Sequence, residues 1–218
     1  MLLFTFWRSL ATFRVRIALN LKGAAYDTVD VDLIKGEQRD AAFRAVNPQM
    51  VIPALRDGDG PVLFQSLAIL EYLDETHPAP PLLPREPRAR AYVRGLAQIV
   101  ACDSHPLITP RIRTYLQGQF AFDEPARLAW IRHWINAGLA ALEAHLAQDG
   151  MGGRHCHGDQ LTIADICLVS QTVGAGFFDC DLAPYPQVGR IAARCLELEA
   201  FAAAHPLRQP GAPPAEAH

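Results

Sequence analysis

The 218-residue chain is half apolar and one-fifth charged, with a formal net charge of −3. That length permits one large or two small domains, each with its own core. It shows no basic stripe for nucleic acid, and its apolar runs are broken well short of the roughly 20 residues a membrane span needs.

The opening "MLLFTFWRSL" lacks the basic start and small-residue cleavage site of a secretory leader. Cys102, Cys156, Cys167, Cys180 and Cys195 are odd in number, scattered, and form no C-x-x-C. A disulfide framework is not expected, and a reducing cytoplasm fits.

"LLFTF" (2–6) reads as a short strand, and Thr12 to Lys22 as a helix stopped by Gly23, with Phe13, Ile17 and Leu21 on its buried face. "AYDTVDVDLI" (25–34) alternates as a half-buried strand does, and "EQRDAAFRAV" (37–46) is a short amphipathic helix. The loop "NPQMVIP" leads into two short runs around Gly-Asp-Gly, a hairpin. "QSLAILEYLDETH" (65–77) is a helix with Ile69, Leu70 and Leu73 on one face. Five prolines between Pro78 and Pro87 then make an extended linker.

Beyond the linker the strand signal ends. Residues 88–117, 123–149, 162–178 and 186–204 carry helical periodicity. "TIAD" (162–165) matches a capping box, with Thr162 and Asp165 bonding each other's backbone N–H. In "RHCHG", His155, Cys156 and His157 are adjacent, so they point to opposite faces and lack a second ligand pair at zinc spacing. No metal is expected, and the segment reads as a solvated loop. The tail "RQPGAPPAEAH" reads as loose.

The order β-α-β-α-β-β-α is a thioredoxin-like arrangement followed by an all-α domain, with boundaries at 1–80 and 88–208. In that fold the start of the first helix is the reactive corner, where unpaired N–H groups and a partial positive charge favour an anion. Redox versions place cysteines there; this chain has Arg8, Ser9, Leu10, Ala11 and Thr12. Any thiol must come from a ligand. Pro53 precedes a strand, where a cis bond can expose the Ile52 backbone to a peptide lying like an added strand. Ser66 is a candidate N-cap whose hydroxyl, with the first free amides, can instead clasp a carboxylate; Gln49 can add an amide contact.

"FWRSLATFRVRIALNLKG", "NPQMVIPAL", "QSLAILEYL", "GDQLTIADICLV" and "DLAPYP" together resemble the zeta-class glutathione transferases, the group with the maleylacetoacetate and maleylpyruvate isomerases, from Met1 to about Pro210. The resemblance implies glutathione as ligand, a homodimer, an N-terminal glutathione domain and a helical substrate domain. It places Ser9 facing the thiol, with Thr12 a second surviving hydroxyl. It assigns Gln49, Ile52, Gln65 and Ser66 to the tripeptide, with the γ-glutamyl end at Gln65 and Ser66. His105 falls at a polar glutathione contact.

Two departures stand out. The family's Ser-Ser-Cys is here Ser9, Leu10, Ala11, so no mechanism needing that cysteine applies. Gly176 and Phe177 stand where the isomerases tend to carry an arginine, which weakens the case for a dicarboxylate substrate.

A free thiol has a pKa near about 8.5, and lowering it by about 2 takes about 2.7 kcal/mol. A helix start supplies roughly 0.3–1 kcal/mol, about 2 when partly buried, and a hydroxyl donating to an anion about 1.5–3 kcal/mol. Ser9 is therefore expected to hold the sulfur as thiolate. A thiolate can add to an activated cis double bond, allow rotation and leave again, which makes glutathione a catalyst. Such polyanionic substrates want guanidinium groups, and Arg8, Arg14, Arg111 and Arg113 are the candidates. Arg14 and Arg16 also read as solvated or inter-domain ion-pair residues, the better reading for Arg16. Two alternatives stay open: conjugation or dehalogenation of small electrophiles, and a non-catalytic binding module.

Overall fold

The first apolar run becomes β1 (Leu2–Thr5), followed by α1 (Leu10–Leu21), in the computed structural model, which describes residues 1–214. β2 (Asp27–Asp30) runs parallel to β1. A 3₁₀ turn over Glu37–Arg39 and α2 (Ala41–Val46) share the expected second helix between them. β3 (Ala54–Arg56) and β4 (Leu63–Phe64) form the hairpin, and α3 (Ser66–Thr76) follows.

The sheet order is β2-β1-β3-β4, with β3 antiparallel to both neighbours. Phe4 pairs with Ala54, and Ala54 with Phe64. The chain therefore leaves β1, enters β3 and leaves β4 at one end of the sheet, and this register positions the site.

Phe13, Ile17, Ile69, Leu70 and Leu73 are fully buried where α1 and α3 pack together. Each such side chain contributes roughly 1.5–3 kcal/mol of burial. A second cluster holds Phe4, Phe6, Val31, Phe43 and Ile52. β2 departs from the half-buried pattern expected of it, since all four of its residues are exposed. It is an edge strand, and the apolar residue that turns inward is Val31, just past its end. Asp27 and Asp30 put charge on that edge, a common guard against further pairing.

The second unit runs from Leu82 to Leu196, and the first comprises Met1–Pro81 together with the chain from Glu197 onward. The sequence reading carried the helical domain to residue 208. In the structure α9 (Glu199–Ala204) packs on α1, with Phe201 and Ala204 buried. The tail is also better anchored than its composition suggests. Pro206–Arg208 forms a 3₁₀ turn, and the Gln209 amide donates to the Ala203 and His205 carbonyls. The final residues, 215–218, lie outside the described ones.

The second unit contains α4 (Pro87–Gln98), α5 (Pro110–Phe120), α6 (Glu124–Gln148), α7 (Ile163–Gly176) and α8 (Pro186–Leu196). The helix expected over 88–117 is interrupted by a π turn at Ile99–Ser104 and a 3₁₀ turn at His105–Ile108. Pro106 and Pro110 lack the N–H a continuous helix needs. Ser104 is tied off sideways: its hydroxyl donates to the Trp134 carbonyl and accepts from the Gln171 amide at 2.6 Å. Only glycine fits opposite, since a Cβ on Gly138 would lie 2.8 Å from Ser104 Cβ and Oγ. Every residue of α7 from Ile163 to Thr172 is buried, as expected of a helix apolar on all sides.

Among the described residues, no helix is long and apolar enough to cross a membrane.

Candidate functional site

The turn between β1 and α1 is built by its own backbone and by a buried cation. Ser9 N–H donates to the Phe6 carbonyl at 3.0 Å. Arg16, one turn and a half into α1 and only 1% exposed, sends Nη1 to Thr5 Oγ1 and the Phe6 carbonyl, and Nη2 to the Trp7 carbonyl. Its Nε donates to the Ala204 carbonyl. Arg16 is thus neither solvated nor an inter-domain ion-pair residue. It knits the turn to α1 and α9 through carbonyl oxygens, which demand no counter-ion. Burial pushes its guanidinium down to about 10, partly offset by Tyr26.

Ser9 is the N-cap of α1, half-buried, in extended backbone (φ −72°, ψ 112°). Its Oγ accepts from Thr12 N–H at 3.2 Å and from the Thr12 hydroxyl at 2.9 Å. With both lone-pair directions engaged, what Ser9 has left to offer is its proton. Among the described residues, no protein group accepts it. Thr12 itself is fully buried, and its hydroxyl donates to Ser9. Arg8, half-buried beside the turn, has its guanidinium pKa lowered by burial.

At the same end of the sheet the Ile52–Pro53 bond is cis. The Ile52 side chain packs in the core. The loop before it is held by Asn47, a buried residue the sequence reading passed over. Its Nδ2 donates to the Val51 carbonyl at 2.7 Å and its Oδ1 accepts from Gln49 N–H. The Asn-Pro pair ending α2 was the available signal.

Gln65 Nε2 donates to Gln49 Oε1 at 2.9 Å, so the two exposed amides predicted from separate motifs meet. Gln65, not Ser66, is the N-cap of α3, with φ at +68°. Ser66 is the first helical residue and is buried, and its Oγ accepts from Arg14 Nη1 at 3.1 Å. Arg14 also donates to the Leu10 carbonyl and is 1% exposed, which removes it from the solvated candidates for substrate contact.

His105 and Arg111 belong to the second unit. His105 opens the 3₁₀ turn, and Arg111 is exposed in the first turn of α5. The segment after α7, where an arginine was missed, has two guanidinium groups against it from other helices. Arg132 Nε donates to the Phe178 carbonyl at 2.7 Å, and the Arg113 guanidinium stands 5.8 Å from the Phe178 ring centre. Sequence inspection of that segment alone had no means of finding either.

The "RHCHG" segment is not the solvated loop expected, because His155 and Cys156 are buried. The capping box explains why. Asp165 Oδ1 accepts from Cys156 N–H at 2.8 Å, and Oδ2 from Thr162 N–H and its hydroxyl. His155 Nδ1 and Cys195 Sγ complete the surroundings, 3.7 Å apart. Burial pushes the Cys156 and Cys195 thiols up.

A mixed sheet with the cis-proline loop, the hydroxyl-capped first helix and a separate helical unit is the architecture of glutathione transferases. Residues 8–76 match the family described as glutathione S-transferase, N-terminal domain. A maleylpyruvate isomerase from Ralstonia is 49% identical over 96% of this chain and 99% of its own length. A maleylacetoacetate isomerase from Methylobacterium extorquens AM1, solved with malonate and glutathione bound, is 54% identical, covering 98% of this chain and 100% of that one, with a TM-score of 0.96. The holo structure of a maleylpyruvate isomerase, described as a bacterial zeta-class glutathione S-transferase, is 48% identical with a TM-score of 0.94, covering 98% and 100%. The chain belongs to the zeta-class glutathione transferase family.

Proposed function

We propose that this enzyme isomerises a maleyl-type keto acid, maleylacetoacetate or maleylpyruvate, with glutathione as cofactor. The observation that carries the reading is the Ser9 hydroxyl, whose acceptor positions are filled by Thr12 and whose proton is left to a ligand at the start of α1. The surrounding residues fit the tripeptide: the paired Gln49 and Gln65 amides, the Ile52 backbone beside the cis proline, and the Ser66 hydroxyl at a helix start.

Glutathione supplies a nucleophilic thiolate that can add reversibly to an activated double bond. Ser9 donates to the sulfur and, with the α1 dipole, favours its ionised form. Thr12 orients Ser9, and Arg16 keeps the turn in place. Ile52 offers backbone to the cysteinyl part, while Gln65 and Ser66 take the γ-glutamyl end. Arg8 meets a substrate carboxylate, and the Methylobacterium relative, solved with malonate and glutathione bound, supports a dianionic acceptor. The enzyme acts as a homodimer in the cytoplasm, in keeping with five free cysteines.

A spectrophotometric assay of cis-to-trans conversion, run alongside a thiol titration, tests the reading. Turnover with glutathione undiminished supports isomerisation. Stoichiometric loss of thiol supports conjugation instead, the alternative that Gly176 and Phe177 favour.

A further inference from the structure

Ser66 follows a residue with φ at +68° and sits at the first position of α3, so no helical carbonyl lies one turn behind it to receive its proton. A serine so placed can present its hydroxyl either as donor or as acceptor. The buried Arg14 fixes which side of the oxygen accepts, because a guanidinium has donors only. By giving Nη1–H to Ser66 Oγ at 3.1 Å, it occupies the oxygen from the core side. Among the described residues no protein group accepts from the Ser66 hydroxyl. We infer that Arg14 is a positioning residue of the glutathione site: it holds one acceptor position of Ser66 from the core side, which turns the O–H outward to donate to the γ-glutamyl carboxylate.

The arrangement resembles the one at Ser9, where Thr12 fills both acceptor positions and leaves the proton, yet here one guanidinium, a different residue type on the same helix, fills a single position. Arg14 never touches the ligand. Its effect is specific to a negatively charged partner of Ser66, which separates it from a general contribution to packing α1 on α3. The inference rests on the reading that Ser66 takes the γ-glutamyl carboxylate, so the experiment must test both.

Calorimetric titration of the full chain would compare glutathione with 4-aminobutyryl-cysteinylglycine, the same peptide without its γ-glutamyl carboxylate. The wild type should bind glutathione at least about tenfold more tightly, and Ser66→Ala should remove most of that preference. Arg14→Met should weaken glutathione about five- to tenfold and the truncated peptide less than about twofold. In a Ser66→Ala background, Arg14→Met should cost glutathione nothing more. Should Arg14→Met fail to fold, Arg14→Gln, too short to reach Ser66, carries the same expectation.

Equal weakening of both peptides by Arg14→Met, or an undiminished effect in the Ser66→Ala background, would overturn the role of Arg14. A wild type that binds the two peptides alike would instead remove the carboxylate from Ser66, a failure visible before any variant is made.

Discussion

Two of the helices that begin with a hydroxyl residue end up chemically opposite. At the start of α7, Thr162 accepts from Ala164 N–H and donates to Asp165 Oδ2, and both residues are fully buried. At the start of α1, Ser9 accepts twice, donates to no described protein group and is half-exposed. A saturated cap does structural work and nothing else. An unsaturated one is a ready donor beside a positive helix end, which is what a thiolate needs. The difference lies in the partner three residues on: a carboxylate at 165 consumes the hydroxyl proton, whereas a hydroxyl at 12 leaves it.

The largest effect expected from breaking this contrast is at the saturated end. Asp165→Ala removes an acceptor used by Cys156 N–H, Thr162 N–H and the Thr162 hydroxyl, leaving buried donors unpaired. It should cost roughly 3–5 kcal/mol in urea unfolding. A loss under about 1 kcal/mol would mean the box is not a fold determinant.

Ser9→Ala should do the reverse. Stability should fall by only about 1 kcal/mol, as for an ordinary cap, while turnover drops roughly tenfold to a hundredfold, far more than glutathione affinity. Parallel losses in turnover and affinity would reduce Ser9 to a cap.

The start of α5 sharpens the point with a cation. Thr109 spends its hydroxyl on the Pro106 carbonyl, and Arg111 is exposed in the first turn. Arg111→Ala should raise KM for an anionic acceptor about severalfold with kcat little changed. An unaltered KM would retire the residue from substrate contact.

The smallest effect is expected at a fourth helix start. His205 Nδ1 accepts from Leu207 N–H, which requires a neutral ring. Burial first, then Arg208 and Arg16, lowers its pKa. A His held neutral contributes stability that is complete above about pH 6.5 and is lost as pH falls through the lowered value. Comparing urea midpoints at pH 7 and pH 5 for wild type and His205→Asn isolates it. The wild type should lose more on acidification, and identical losses would show the ring does not sense pH here.

Much of the unit that carries the site was legible in advance. Helix periods, the hairpin around Gly-Asp-Gly, the proline linker and the capping box all depend on neighbours within a few residues, and all are present. The places that misled are those where distant partners decide. β2 looked half-buried because alternation cannot say which strand lies at an edge. Ser66 looked like a cap because its own preference favours one, yet Gln65 takes that position and Arg14 takes the hydroxyl's oxygen.

By itself, then, the sequence determined the elements, their order, and the set of polar residues able to hold a tripeptide thiol, since each follows from local propensity and spacing. Only the tertiary structure decided what each hydroxyl can still give. Arg14 and Arg16, which read as surface charges, are buried and spend their donors on oxygens brought near by folding. Hydrogen-bonding capacity is finite, and what remains for a ligand is whatever the fold has not already used.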